Sequence, residues 1–280
     1  MAIAKIAKTI QPTELEIAGI CEKAKRQIIR IVERHAQKYP GEAFVGKRLV
    51  ELESAVKAAY EAMGVDIGGS FSKALPEIMR QFYRNAAKDT GASSILGAAD
   101  KRRINDALKN TFEQVALRTQ QMSFDHIRKL RNFSADIIRT STLTGASRKS
   151  VTAQLMAEAG KIPGFEFIAN NGVHWQANTY FTMLARTELM GCARRAYDDK
   201  CAEEGYDVVM LSTSGNSCEK CAEWEGKIFS ITGATKGIPS KADLEADGVF
   251  HPNCTHTYSA LTDFELEEMG LKIRQPGADE

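Results

Sequence analysis

Near the end of the chain, Cys218-Glu219-Lys220-Cys221 is followed, after an intervening loop, by His251-Pro252-Asn253-Cys254. C-x-x-C and H-x-x-C knuckles together supply three thiolates and one imidazole, the donor set of a closed tetrahedral Zn2+ shell. Close spacing within a knuckle lets both side chains face one ion, while the interval between knuckles only sets the size of the enclosed loop. His256 flanks Cys254 on its other side, so the imidazole comes from either His251 or His256. The predicted ligands are Cys218, Cys221, His251 and Cys254, with His256 as the alternative, and Gly215-Asn216-Ser217 supplies the turn into the first pair. A metal held this way substitutes for the core that a small β-rich segment lacks.

A hydrolytic zinc needs an open coordination position and a carboxylate base, whereas three Cys and one His fill all four positions. The zinc deaminases place H-x-E before P-C-x-x-C, and here the order is reversed and the base is missing. A thioredoxin-like redox pair would open a helix within a strand-helix-strand unit, and Cys218 to Cys221 stand among turn residues. No phosphate-binding Gly-rich loop with Lys, no G-x-S-x-G and no H-E-x-x-H occurs. The residues therefore predict a structural site and no catalysis. The alternative is a zinc-dependent nuclease or hydrolase using His256, Glu225 or Glu188.

The elements that must carry these residues differ between the two parts of the chain. Thr13 and Glu16 have capping-box spacing after Pro12 and predict a helix that ends at Tyr39-Pro40-Gly41. A second helix is predicted from Glu42 to a stop at Gly64, and a third after Gly68-Gly69 through Phe71, Leu75, Ile78, Phe82 and Ala86. From about Asp100, Leu108, Phe112, Val115, Thr119, Met122, His126, Leu130, Phe133 and Ile137 follow one another at steps of four and three, the pattern of a long bundle or coiled-coil helix. His126 lies in that stripe as a seam residue. After the break at Gly145-Ala146-Ser147, a short helix ends at Gly160, and the turn-rich stretch from Ile162 to Gly172 precedes another helix through Tyr180, Leu189 and Tyr197, capped by Gly205. Strands are predicted at residues 207–212, 228–229 and 255–261, and residues 275–280 read as a tail. The fold class is a mainly α N-terminal half, residues 1–146, with long helices, joined to an α+β C-terminal domain, residues 147–280, with a small zinc-stapled β subdomain. On the helix before the strands, the charges of Arg186-Thr187-Glu188 pair with neighbouring elements.

The 280 residues carry 37 Lys and Arg against 36 Asp and Glu, which excludes a disordered or supercharged chain. The balance hides a division: residues 1–146 hold 24 basic and 16 acidic residues, and the remainder 13 and 20. A basic half points to nucleic acid or an acidic protein surface, or else to solvated helix faces. The N-terminus intersperses Lys among apolar residues and lacks the h-region of a secretory signal, and no apolar stretch is long enough to span a bilayer. Cytoplasmic synthesis keeps thiols reduced, so the clustered cysteines are read as metal ligands.

Arg186-Thr187-Glu188, Tyr197, Gly205-Tyr206, Ser212-Thr213-Ser214, the C-x-x-C pair, Glu225-Gly226-Lys227-Ile228-Phe229 and His251-Pro252-Asn253-Cys254-Thr255-His256 follow one another in an order that resembles the phage minor capsid protein 2 family, related to Mu-type minor head proteins of tailed bacteriophages. The resemblance is most specific over residues 180–260 and extends more loosely upstream, through Gly64-Val65-Asp66-Ile67. It implies a low-copy structural protein of the virion, at the head interior or portal vertex, assembled in the host cytoplasm. It also implies the portal protein or major capsid protein as partners, and a link to DNA packaging or ejection. The basic half suits an acidic portal surface or packaged DNA, with no membrane partner. Glu225 stands where relatives usually have Asp, and Thr255 where many have Arg; neither change removes a proposed ligand, while the second puts a DNA contact by that Arg in doubt.

Overall fold

The computed structural model describes residues 2–159, 166–168, 174–213 and 218–276. Three long helices, α1 (Ala2–Lys38), α2 (Gly46–Asp89) and α3 (Ala98–Thr144), are followed by α4 (Arg148–Ala159) and the short pair β1 (Glu166–Ile168) and β2 (His174–Gln176). Then come α5 (Ala177–Glu203), β3 (Val208–Leu211), α6 (Glu219–Ala222), β4 (Ile228–Ser230), α7 (Lys241–Ala246), β5 (Tyr258–Ala260) and α8 (Asp263–Glu268). The protein is mainly helical with small antiparallel sheets in its C-terminal part. No helix among the described residues is long and apolar enough to cross a membrane.

Two departures lengthen the helices. Pro12 and the Thr13 capping spacing do not start α1, which runs through them from Ala2. A proline costs a helix one N–H donor and some crowding, a loss that flanking packing can offset; Thr13, expected at a cap, is buried inside the helix, as is the neighbouring Glu14. Gly64 does not stop the second helix, and Gly68-Gly69 makes no turn: α2 is continuous from Gly46 to Asp89. Two of these glycines are instead points of close approach. A Cβ on Gly64 would stand 3.0 Å from Thr119 Oγ1, and one on Gly68 would stand 3.4 Å from the Phe112 ring, so α3 packs against their bare backbone.

By packing, the chain forms two units. One comprises residues 15–70 and 110–182. Its α1 buries Ile17, Cys21, Ala24, Ile28 and Val32 at helical spacing, and its parts of α2 and α3 bury Leu52, Val56, Tyr60, Met63, Val115, Met122 and Leu130. His126 is buried in this seam, with Nδ1 3.1 Å from Tyr60 Oη.

The other unit comprises residues 1–14, 71–109 and 183–280. It holds a three-stranded antiparallel sheet in the order β4-β3-β5, pairing Val209 with Phe229 on one side and with Ala260 on the other. The three strands fall within or beside the predicted segments. Arg186 on α5 forms a bidentate pair with Glu14, at 2.5 and 3.0 Å, and Tyr197 donates to Asp89 while accepting from the Ala260 backbone. Gln275, expected in a tail, is buried. Its side-chain oxygen accepts from the backbone of Asp207 and Val208, and its Nε2 donates to the carbonyls of Val208 and Leu261. An amide side chain at this sheet end thus supplies the partners that another strand would supply.

Candidate metal centre

The site is assembled by two short backbone devices in the second of these units. Cys218 is the N-cap of α6, with extended backbone, and its carbonyl accepts from Ala222 N at 2.9 Å. One helical turn later Cys221 faces inward and is fully buried, whereas Cys218 is exposed. The pair does open a helix, contrary to the turn surroundings expected; residues 215–217 lie outside the described residues.

The second knuckle is a tight turn closed by Cys254 N donating to the His251 carbonyl at 2.9 Å. Phe250 and Asn253, at φ 59° and 69°, both lie in the left-handed region, an uncommon conformation for a bulky residue such as Phe. The surroundings hold this geometry in place. Asn253 N donates to Thr187 Oγ1 at 3.2 Å, and Arg194 Nη2 donates to the Cys254 carbonyl at 3.2 Å. Thr187 and Arg194 stand two helical turns apart on α5. The Phe250 ring packs against Phe229 and Tyr258, with the Arg194 guanidinium 4.8 Å from its centre.

These devices bring all five sequence candidates together in two groups that share one corner. The donor atoms of Cys218, Cys221 and His251 lie within 4.8 Å of one another, and so do those of Cys221, Cys254 and His256. Ligand atoms around tetrahedral zinc are separated by roughly 3.4 to 3.8 Å, close to the spacing within each group; the predicted set Cys218, Cys221, His251 and Cys254 does not fall within one group, since Cys254 stands with Cys221 and His256.

Both imidazoles are held as ligands usually are. His251 turns Nε2 to Cys218 Sγ at 3.2 Å, while its Nδ1 donates to the Pro252 carbonyl at 2.7 Å. His256 turns Nδ1 to Cys254 Sγ at 3.5 Å, while its Nε2 meets Glu225 Oε1 at 2.8 Å. A ligating histidine ordinarily directs its second nitrogen to a carbonyl or carboxylate in this way. The three thiols and two imidazoles therefore fit a thiophilic ion such as Zn2+, which when bound would cross-link α6 to the turn before β5.

The electrostatics favour thiolate at two corners. A hydrogen bond from the Cys221 backbone, aided by His251, lowers the Cys218 thiol to about 7. At Cys254 burial opposes ionisation, but hydrogen bonds from His256 and the nearby Arg194 charge outweigh it and bring the thiol to about 7 as well. Burial pushes Cys221 up to about 12, with neighbouring thiols adding to the shift. Cys221 is thus the corner that most needs a cation to become a thiolate.

Of the three candidates for hydrolysis, Glu225 and His256 are bonded to each other, and Glu188 lies near Cys192, whose thiol is raised by burial with a smaller addition from the Glu188 charge. Arg194, which stands in no sequence motif, is buried against the second knuckle; its Nη1 has no hydrogen-bond partner among the described residues. The one signal for it in the sequence is its spacing of two helical turns from Thr187.

Residues 136–263 match the family model described as phage minor capsid protein 2. Over that segment the chain is similar to the phage minor capsid protein 2 family. The matched residues contain all five metal-site candidates, together with α5 and the three-stranded sheet. No curated protein and no solved structure matches the chain.

Proposed function

We propose that this chain is a structural minor capsid protein of a tailed bacteriophage, located in the virion at the head interior or portal vertex. The observation that carries the reading is that the family match, residues 136–263, spans the entire Cys/His cluster and the elements that position it. In this reading Cys218, Cys221 and Cys254, with His251 or His256, hold a structural Zn2+ that keeps residues 218–261 folded. Residues 147–280 act as the metal-stapled domain, and the basic residues 1–146 meet the portal protein, the major capsid protein or packaged DNA. The role is assembly, packaging or ejection without catalysis. Mass spectrometry of purified heads tests it: the chain is expected as a low-copy component that co-purifies with portal protein, and its absence from particles would overturn the reading.

A second reading, a zinc-dependent nuclease or hydrolase carried in the virion, draws on the Glu225 to His256 pair. Metal titration and nuclease assay of Glu225→Gln separate the two. Loss of hydrolysis at full metal loading would favour the enzyme.

A further inference from the structure

Between residues 23 and 38, one arc of α1 carries Lys23, Arg26, Arg30, Arg34 and Lys38, all exposed. Their spacing of three, four, four and four residues keeps them within about a third of the helix circumference and along roughly 22 Å of its axis. The other residues on this arc are Gln27 and Gln37; Glu22 and Glu33 lie outside it, and the half-buried Ile20 borders it one turn before Lys23. None of the five cations forms an ion pair among the described residues, and Lys38 lies over the Tyr39 ring. Several cations elsewhere in the same unit are paired: Lys57 with Glu61, Arg128 with Asp125, Arg131 with Glu53 and Arg139 with Asp136.

Like charges four residues apart destabilise a helix by a few tenths of a kcal/mol per pair. Arg26, Arg30, Arg34 and Lys38 form three such pairs in succession, an arrangement that an anionic partner would relieve. The chemistry of the arc selects the partner. A protein interface ordinarily centres on apolar or aromatic side chains and is poor in Lys, and this arc has neither an apolar centre nor a carboxylate. Cations and amides at intervals of about 6 Å along a rigid rod suit a row of backbone phosphates, which bind Lys, Arg and Gln without reading sequence.

We propose that this face of α1 binds the phosphate backbone of double-stranded DNA independently of sequence. The inference rests on the virion reading only for where DNA would be met. Binding by the purified chain is a separate observation, so failure here and absence from particles are distinguishable results.

The test is fluorescence anisotropy of the full chain with a short labelled duplex across a salt series. It compares wild type with the triple variant Arg26→Gln, Arg30→Gln, Arg34→Gln and with a control of equal charge, Lys57→Gln, Arg128→Gln, Arg139→Gln. The stripe variant is expected to bind roughly tenfold or more weakly, and its slope of log K against log salt to flatten by about 3, close to 0.9 for each phosphate no longer neutralised. The control is expected to bind like wild type. Glutamine preserves helix propensity, and removal of the repulsion should leave the thermal midpoint unchanged or higher, which shows that the variant is folded. An unchanged slope in the stripe variant would overturn the proposal, as would equal weakening in the control. Binding to polyglutamate but not to the duplex would overturn it in favour of an acidic protein partner.

Discussion

Glu225 Oε1 lies 2.8 Å from Nε2 of His256, so the carboxylate fixes which ring nitrogen faces the Cys254 thiol. Outer partners of this kind typically contribute 10- to 100-fold to metal affinity. Glu225→Gln is therefore expected to weaken zinc binding by about that factor while leaving the helical content unchanged. Competition against a calibrated chelator measures it, and unaltered affinity would remove Glu225 from the site.

Cys221 belongs to both donor groups and is fully buried, whereas Cys218 is exposed and belongs to one. Cys221→Ser is expected to lose metal altogether, and Cys218→Ser to retain a weaker site completed by the remaining donors. Metal content after gel filtration distinguishes them. Equal loss in both variants would mean that Cys221 is not the shared corner.

Gln275 satisfies two backbone donors and two carbonyls at the sheet end. Gln275→Ala leaves the Asp207 and Val208 N–H groups and the Leu261 carbonyl without this partner, while the Val208 carbonyl keeps its bond from Leu261 N; at about 1–3 kcal/mol for each group that stays dry, a destabilisation of about 2–4 kcal/mol is expected after water re-enters part of the gap. Urea unfolding gives the value; less than about 0.5 kcal/mol, the usual range for a surface substitution, would contradict it.

Glycines on α2 should respond in opposite directions. Gly64→Val drives a branched side chain into Thr119 and is expected to cost at least about 1–3 kcal/mol. Gly69 has nothing within 4 Å of its would-be Cβ, and Gly69→Ala is expected to stabilise by about 0.5–1 kcal/mol through backbone entropy. Thermal midpoints of the two variants moving the same way would contradict the packing described.

Burial, reinforced by the Lys129 charge, holds His126 down at about 4, against 6.5 for an ordinary histidine. The unfolded chain therefore binds the proton first as pH falls. Stability is fully present above pH 6.5 and drains away between 6.5 and 4, by about 3 kcal/mol at 1.36 kcal/mol per pKa unit. His126→Gln should flatten that part of the stability profile; an identical pH dependence in variant and wild type would show that His126 does not titrate this way.

The grouping of the three cysteines and two histidines was legible in the sequence because knuckle spacing is a local property, and the strands near Val208, Ile228 and Tyr258 because apolar runs stood between turn residues. The alternation from Leu108 to Ile137 likewise marked most of α3. Local signals failed where a distant residue decides the outcome. Gly64 and Gly68 read as breaks because glycine is a poor helix former, yet both lie inside α2, where the missing side chain of Gly64 admits Thr119. Pro12 read as a boundary, although α1 continues through it and Glu14 beyond it pairs with Arg186. Gln275 and Arg194 carried no motif, since their roles depend on a sheet end and a turn that exist only in the folded chain.

The central claim is that one metal ion joins the two knuckles. The most direct measurement is Co2+ titration of the metal-stripped full chain, followed by absorption spectroscopy. One equivalent is expected to produce thiolate charge-transfer and tetrahedral ligand-field bands, with zinc displacing the cobalt. Binding that shows no thiolate band, or no saturation at one equivalent, would contradict a single shared ion.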